Sequence, residues 1–226
     1  MWSDCPAFVI RQFIRVGEEY LNYSVDISNS QPLISTMIFN RPSEVARFAR
    51  NRDMAKSLIN LKVHYSKDVI LYCDLVTGGE FYEYLIPRFE ERGLIDLSLS
   101  LKEKRDLVKK EVMKIFYDRN RSKLTKSKQL FKDDFPGVHD TFAIIRGDGR
   151  GERLPILLQA LEAHVVLKNI YSVVVNELRD VVFFTIHDSF LVNKESDAVK
   201  GIMSEQLTKF TGFQPQIKIE QLSNQK

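Results

Sequence analysis

Val181-Val-Phe-Phe-Thr-Ile-His-Asp-Ser-Phe-Leu-Val192 is the stretch on which the reading of this chain turns. Two apolar runs flank His187-Asp188-Ser189, the pattern of two strands joined by a tight turn. Asp is depleted in strands, and its charge is not buried alone. A carboxylate fixed at a hairpin tip suits a cation, although Asp is also an ordinary turn residue.

Outward from that hairpin the chain is unremarkable in bulk. It has 226 residues, 44% apolar and 28% charged, enough to bury a core in one domain or two lobes. No apolar run approaches the ~18 residues that would span a bilayer. The start, Met1-Trp-Ser-Asp-Cys-Pro, lacks the basic and apolar segments of a signal peptide. Cys5 and Cys73 are too few and too far apart for a disulfide framework, so a cytoplasmic protein with no membrane partner is expected. His64 and His139 match no metal-ligand spacing.

The net charge of +3 is unevenly spread. Lys102 to Lys132 holds twelve Lys or Arg against four Asp or Glu, a net of +8. Such clustering is a footprint of polyphosphate or nucleic acid, and equally of a solvated helix face.

Periodicity predicts a strand over 21–26 and a helix through 33–39 after the Asp26-Ile-Ser-Asn-Ser-Gln-Pro32 turn. Further helices are expected at 42–61, 80–92, 99–121, 154–178 and 196–211, with a last strand at 214–220. Residues 68–75 are apolar and ambiguous. Arg146-Gly-Asp-Gly-Arg-Gly-Glu152 reads as a connector and not a dinucleotide loop, because Glu152 stands where the third glycine belongs. The fold class expected is α+β, a small antiparallel sheet carrying the acidic turns among many helices.

Between the strand-end carboxylates Asp26 and Asp188 lie Arg105, Lys109, Met113 and Tyr117, spaced by four. Steps of four stay near one helix face. Two cations, an apolar residue and an aromatic would suit the phosphates, sugar and base of a nucleoside triphosphate. Two carboxylates with such a helix match the two-metal scheme of phosphoryl transfer. Singly, each residue has a plainer role: Asp26 as a helix cap, Met113 and Tyr117 as core, Gln159 as helix surface. Lys110 competes with Lys109 for the phosphate role.

These residues resemble family A nucleic acid polymerases, the group of bacterial repair DNA polymerases and single-subunit phage-type RNA polymerases. Asp26-Ile-Ser-Asn-Ser-Gln31 resembles motif A, Arg105 to Tyr117 motif B, and Ile186-His-Asp-Ser-Phe190 motif C. Leu154 to Glu162 resembles the helix whose Gln touches the primer–template end. Asp26 to Pro32 and Gly79-Glu-Phe-Tyr-Glu83 are also similar to polymerase-like proteins of bacterial mobile elements.

The resemblance implies palm segments over 1–62 and 151–226 and fingers over 63–150. It implies that Asp26, Asp188 and the Ile27 carbonyl hold two Mg²⁺, and that Arg105 and Lys109 bind the triphosphate. Lys109 would also protonate the departing pyrophosphate. Met113, Tyr117 and Gln31 would meet the nucleotide, and His187, Gln159, Arg119, Arg121 and Lys123 the primer and template.

Ser189 and Met113 resemble the RNA polymerase branch. Gln31 stands where DNA polymerases place Glu and phage enzymes place Gly. The expectation is template-directed nucleotidyl transfer leaning to RNA. The alternatives are a DNA polymerase or a degenerate palm that only binds nucleic acid or a replication partner. Asp118 after Tyr117 departs from the Gly common in relatives. Only about 25 residues precede motif A, so the expectation is a fragment, a minimal polymerase, or a chain that borrows a separate thumb or N-terminal partner.

Overall fold

A computed structural model describes residues 15–16, 19–61, 65–117, 125–147 and 153–222. Contacts divide the chain into two compact units, residues 1–30 with 162–226, and residues 31–161. The first break falls at the start of helix α1 (Ser30–Asn40) and the second inside α9 (Arg153–Ala163). Residues 31–61 fall within the second of these units.

The first unit is built on an antiparallel sheet of order β4-β5-β3-β6. Its strands are β3 (Tyr23–Ile27), β4 (Phe183–Ile186), β5 (Ser189–Val192) and β6 (Ile217–Gln221). The short strands β1 (Arg15–Val16) and β2 (Glu19–Tyr20) pair with each other. Val25, Phe190 and Val192 alternate onto one face and are fully buried. Helix α11 (Ser196–Thr211) packs on β3 and β6, and its Val199, Met203 and Leu207 recur at helical spacing and are buried. Phe183 bridges Tyr171 and Phe190, with ring centroids 5.3 and 5.6 Å away. The opposite face carries Leu191 in a small cluster with Leu21 and Leu222.

The predicted helix over 154–178 is one helical run of three segments and two kinds. Between α9 and α10 (Tyr171–Glu177) the chain widens into a π-helix over His164–Ile170. There the Asn169 side chain donates to the His164 carbonyl at 3.1 Å, a competing bond that periodicity cannot signal.

The second unit is helical. The predicted helix over 42–61 is broken: α2 (Pro42–Val45) runs into a 3₁₀ turn, and α3 (Arg52–Ile59) restarts at Asn51, whose side chain caps Met54 N–H. The ambiguous segment 68–75 lies in α4 (Lys67–Gly78), and α5 (Phe81–Glu91) and α6 (Leu101–Phe116) follow. Two helices went unread in the sequence, α7 (Lys126–Asp134) and α8 (Pro136–Arg146). A helix, not a strand, therefore precedes the glycine connector, which removes the last support for a dinucleotide loop. Gly137 lies hard against α4: its N–H donates to Asp68 Oδ2 at 2.7 Å, and an added Cβ would meet the Ser66 hydroxyl at 2.9 Å.

Tyr72 centres the core of this unit. Phe81 and Phe135 contact its ring at 5.3 and 5.6 Å, and its hydroxyl is 2.7 Å from Ser35 Oγ. Burial pushes the Tyr72 phenol well above its ordinary range, with Ser35 offsetting part of the shift. Burial also raises the neighbouring Cys73 thiol to about 12, so it stays protonated and unreactive. No described helix is long and apolar enough to cross a membrane.

Candidate functional site

In the sheet unit, Asp26 on β3 is the register partner of Ser189 on β5. Ile186 pairs with Ser189 across β4 and β5, so His187-Asp188 is a two-residue hairpin loop. Directly opposed Cα atoms in antiparallel strands lie ~4.5–5.5 Å apart. Asp188 is one residue beyond the partner of Asp26, so the strand register brings the two predicted carboxylates to one end of the sheet. Two-residue loops need positive φ at their first position, and His187 supplies it at φ 53°. His is among the few residues that enter this region more readily, and the ladder on either side holds it there.

The Asp26 carboxylate is fixed from two sides. Ser24, two residues earlier on the same strand face, donates its hydroxyl to Oδ2 at 2.7 Å. The Ser189 hydroxyl donates to Oδ1 in a short bond. Both serines are fully buried. On the other side of β3, Lys218 of β6 is the register partner of Asp26. The sequence reading used Ser189 only to choose between branches and passed over Ser24 and Lys218. Ser24 was legible from period-2 alternation, but Lys218 was not, because its pairing is non-local. At the start of α1, Ser30 Oγ makes a short bond to Glu162. Ser28 Oγ and both polar atoms of the Asn29 side chain are buried without a hydrogen-bond partner among the described residues.

In the helical unit, α6 begins with a capping box: Glu103 accepts from the Ser100 N–H at 2.9 Å, and Ser100 Oγ accepts from Glu103 N–H. Val108, Val112, Ile115 and Phe116 form its buried face. The opposite face lines a depression of about 720 Å³ with Asp106, Lys109, Lys110, Met113, Lys114 and Tyr117. Tyr117 is the C-cap, so the helix predicted over 99–121 has its last residue at Phe116. Beneath that end, buried Arg146 donates from Nη2 to the Ile115 carbonyl, placing a cation where a helix C-terminus favours one. Gln159 Nε2 approaches the Tyr117 hydroxyl at 3.4 Å, joining two residues that the sequence reading named separately.

Arg105 is not in the depression. Its Nε donates to Glu83 Oε1 at 2.6 Å, and its guanidinium lies 5.2 Å from the Tyr82 ring centroid. The cause is helical geometry: four residues turn the helix by ~400°, a drift of ~40° per step, so Tyr117 stands ~120° round from Arg105. The structure thus keeps Lys109, Met113 and Tyr117 together and sets Arg105 aside. Lys109 and Lys110 both line the depression, so geometry leaves their competition open. Gln31 lies in the first turn of α1. Arg119, Arg121 and Lys123 fall outside the described residues.

No protein-family model matches this chain, and no curated protein matches it. Among solved structures it is similar to the POL domain of Pol1 from M. smegmatis in complex with DNA primer-template and dNTP, with a TM-score of 0.42 and 14% identity. The match covers 96% of this chain but 42% of that one, so the chain spans less than half the length of its structural neighbour.

Proposed function

We propose that the chain is a template-directed nucleotidyltransferase of the palm-and-fingers type, with Asp26 and Asp188 as its metal ligands. The observation that carries this reading is the register that brings two chain-distant carboxylates to one sheet end. Among the described residues no group of three or more His, Cys, Asp or Glu could hold a metal. Two carboxylates suit Mg²⁺, which takes one or two of them and fills its sphere with water and substrate phosphates. Asp26 already accepts two hydroxyls, yet a carboxylate offers about four lone-pair sites. Asp26, Asp188 and the Ile27 carbonyl are the residues that would hold the metal. Bound there, Mg²⁺ supplies positive charge to the oxygens of an in-line phosphoryl displacement.

The remaining roles belong to the chain's own side chains. Lys109, exposed on α6, binds the triphosphate and carries the proton for the leaving pyrophosphate. Met113 and Tyr117 meet sugar and base. Gln159 and His187 meet the primer, and Arg119, Arg121 and Lys123 the template backbone. Ser189 and Met113 tilt the substrate towards ribonucleotides, and Gln31, which keeps much of the bulk of Glu without its charge, moderates that tilt.

Purified protein given primer–template, Mg²⁺ and either NTPs or dNTPs is expected to extend the primer, better with NTPs. Asp188→Asn is expected to lower the rate by about three orders of magnitude, the loss of several kcal/mol of metal-borne charge stabilisation. Extension that survives in Asp26→Asn/Asp188→Asn overturns the assignment.

A further inference from the structure

Arg105 was expected to face the nucleotide, and the structure instead rests it on α5. Three features of that contact are specific. The Glu83 carboxylate takes only Nε, at 2.6 Å. The guanidinium carbon lies over Tyr82, a ring itself buried in the core. Among the described residues the terminal Nη groups make no hydrogen bond to protein. Arg recognises phosphate through two parallel N–H donors, and a guanidinium held at Nε still offers its Nη edge for that purpose. Pro87, four residues after Glu83 in α5, lacks the N–H that the Glu83 carbonyl would otherwise accept, so α5 is loosened at the turn that carries the carboxylate.

We propose that Glu83 is the positioning residue for Arg105: it fixes the guanidinium on Tyr82 so that the Nη edge meets the phosphates of an incoming nucleoside triphosphate. The inference rests on the nucleotidyltransferase reading above and names a residue that reading does not contain. Holding Arg105 in one rotamer before the nucleotide arrives removes an ordering cost from binding. The adjacent pair from α6 to α5, Lys104 Nζ to Glu90 Oε1 at 2.7 Å, is more enclosed. It supplies the comparison for a purely structural clamp.

The test is a steady-state split on the full chain. KM for NTP and kcat in primer extension are measured alongside Tm, and Mg²⁺–NTP binding is followed by calorimetry. Glu83→Ala is expected to raise KM about fivefold, the scale of an exposed ion pair acting indirectly, with kcat within about twofold. Glu83→Gln, which keeps an acceptor for Nε, is expected to recover most of the loss. In an Arg105→Ala background Glu83→Ala is expected to have no further effect. Glu90→Gln is expected to lower Tm without moving KM.

A Glu83→Ala variant whose KM is unchanged or falls overturns the proposal, because the carboxylate is then a bystander or a competitor of phosphate. Additive losses in the double variant overturn it as well. If the wild-type chain itself binds no Mg²⁺–NTP, the nucleotidyltransferase reading fails and takes this inference with it. If the wild type binds and Glu83 is neutral, only the positioning role fails.

Discussion

Asp26 and Lys109 are held in place by different kinds of structure. Asp26 sits in a strand paired on both sides, opposite Ser189 and Lys218, with a buried hydroxyl on each carboxylate oxygen. Its position is set by non-local register, and a one-residue slip would turn it to the other face. Lys109 sits on a solvent-facing helix row whose geometry is entirely local, fixed by the capping box and by the buried Val108 and Val112. Around it the helical unit is tied by side-chain ion pairs: Arg88 to Asp134, Arg92 to Asp133, Lys104 to Glu90 and Arg105 to Glu83. Asp26 belongs to a paired strand, and the cations to a surface whose side chains are held by neighbouring carboxylates, as Arg105 is by Glu83. Metal ligands need fixed geometry, whereas phosphate contacts tolerate long side chains that adjust.

The first way to break this contrast is to cut one of the ties. Arg88 Nε lies 2.8 Å from Asp134 Oδ2, an ion pair without the alignment of a hydrogen bond. Burial raises the Asp134 carboxyl, with Arg88 and then Arg92 pulling it partly back. Arg88→Met should cost about 2 kcal/mol at neutral pH, the scale of a partly buried carboxylate losing its partner. The sign with pH follows from the raised carboxyl. The protonated acid is the form the fold prefers, so the deficit should shrink as pH falls through the raised value and grow as pH rises through it. Thermal melts of both proteins from pH 7 to pH 4 check this, and a deficit that is flat with pH would leave Asp134 out of it.

Lys109→Ala should weaken Mg²⁺–NTP binding about tenfold, near 1.4 kcal/mol, while leaving Tm unchanged. Lys110→Ala, measured beside it by calorimetry, decides between the two lysines. The smallest effect expected is at the paired strand. Ser189→Ala removes one hydroxyl from Asp26 at about 1 kcal/mol, so extension should slow by about fivefold with NTP affinity unchanged. If Ser189→Ala changed NTP affinity while Lys109→Ala changed only the rate, the division between strand and surface would be reversed.

Legibility from sequence follows the same division. The helix over 196–211 was placed to the residue, because its period and glycine stop are local signals. The hairpin at His187-Asp188 was legible for the same reason. Helices α7 and α8 were missed: a basic run and a glycine connector flank them, and both are held by burial of Phe131, Phe135 and Phe142 in an aromatic core contributed by distant segments. The break in 42–61 and the π-helix at 164–170 escaped because each depends on one side chain bonding to the backbone, Asn51 in the first and Asn169 in the second. The spacing by four from Arg105 to Tyr117 was read as one face. Over a single step that is true, but over three the drift of the helix separates its ends.

The sequence by itself determined the residue types, the α+β class, the acidic hairpin tip, and the row of Lys109, Met113 and Tyr117, all of which rest on periodicity within one element. Only the tertiary structure decided that Asp26 lies beside Ser189 and Lys218, that the Ser189 hydroxyl reaches its carboxylate, and that Arg105 turns to Glu83 and Tyr82. Those are pairings between segments far apart in the chain. Register and ion-pair choice are settled by which surfaces bury together, and no window along the sequence contains both partners.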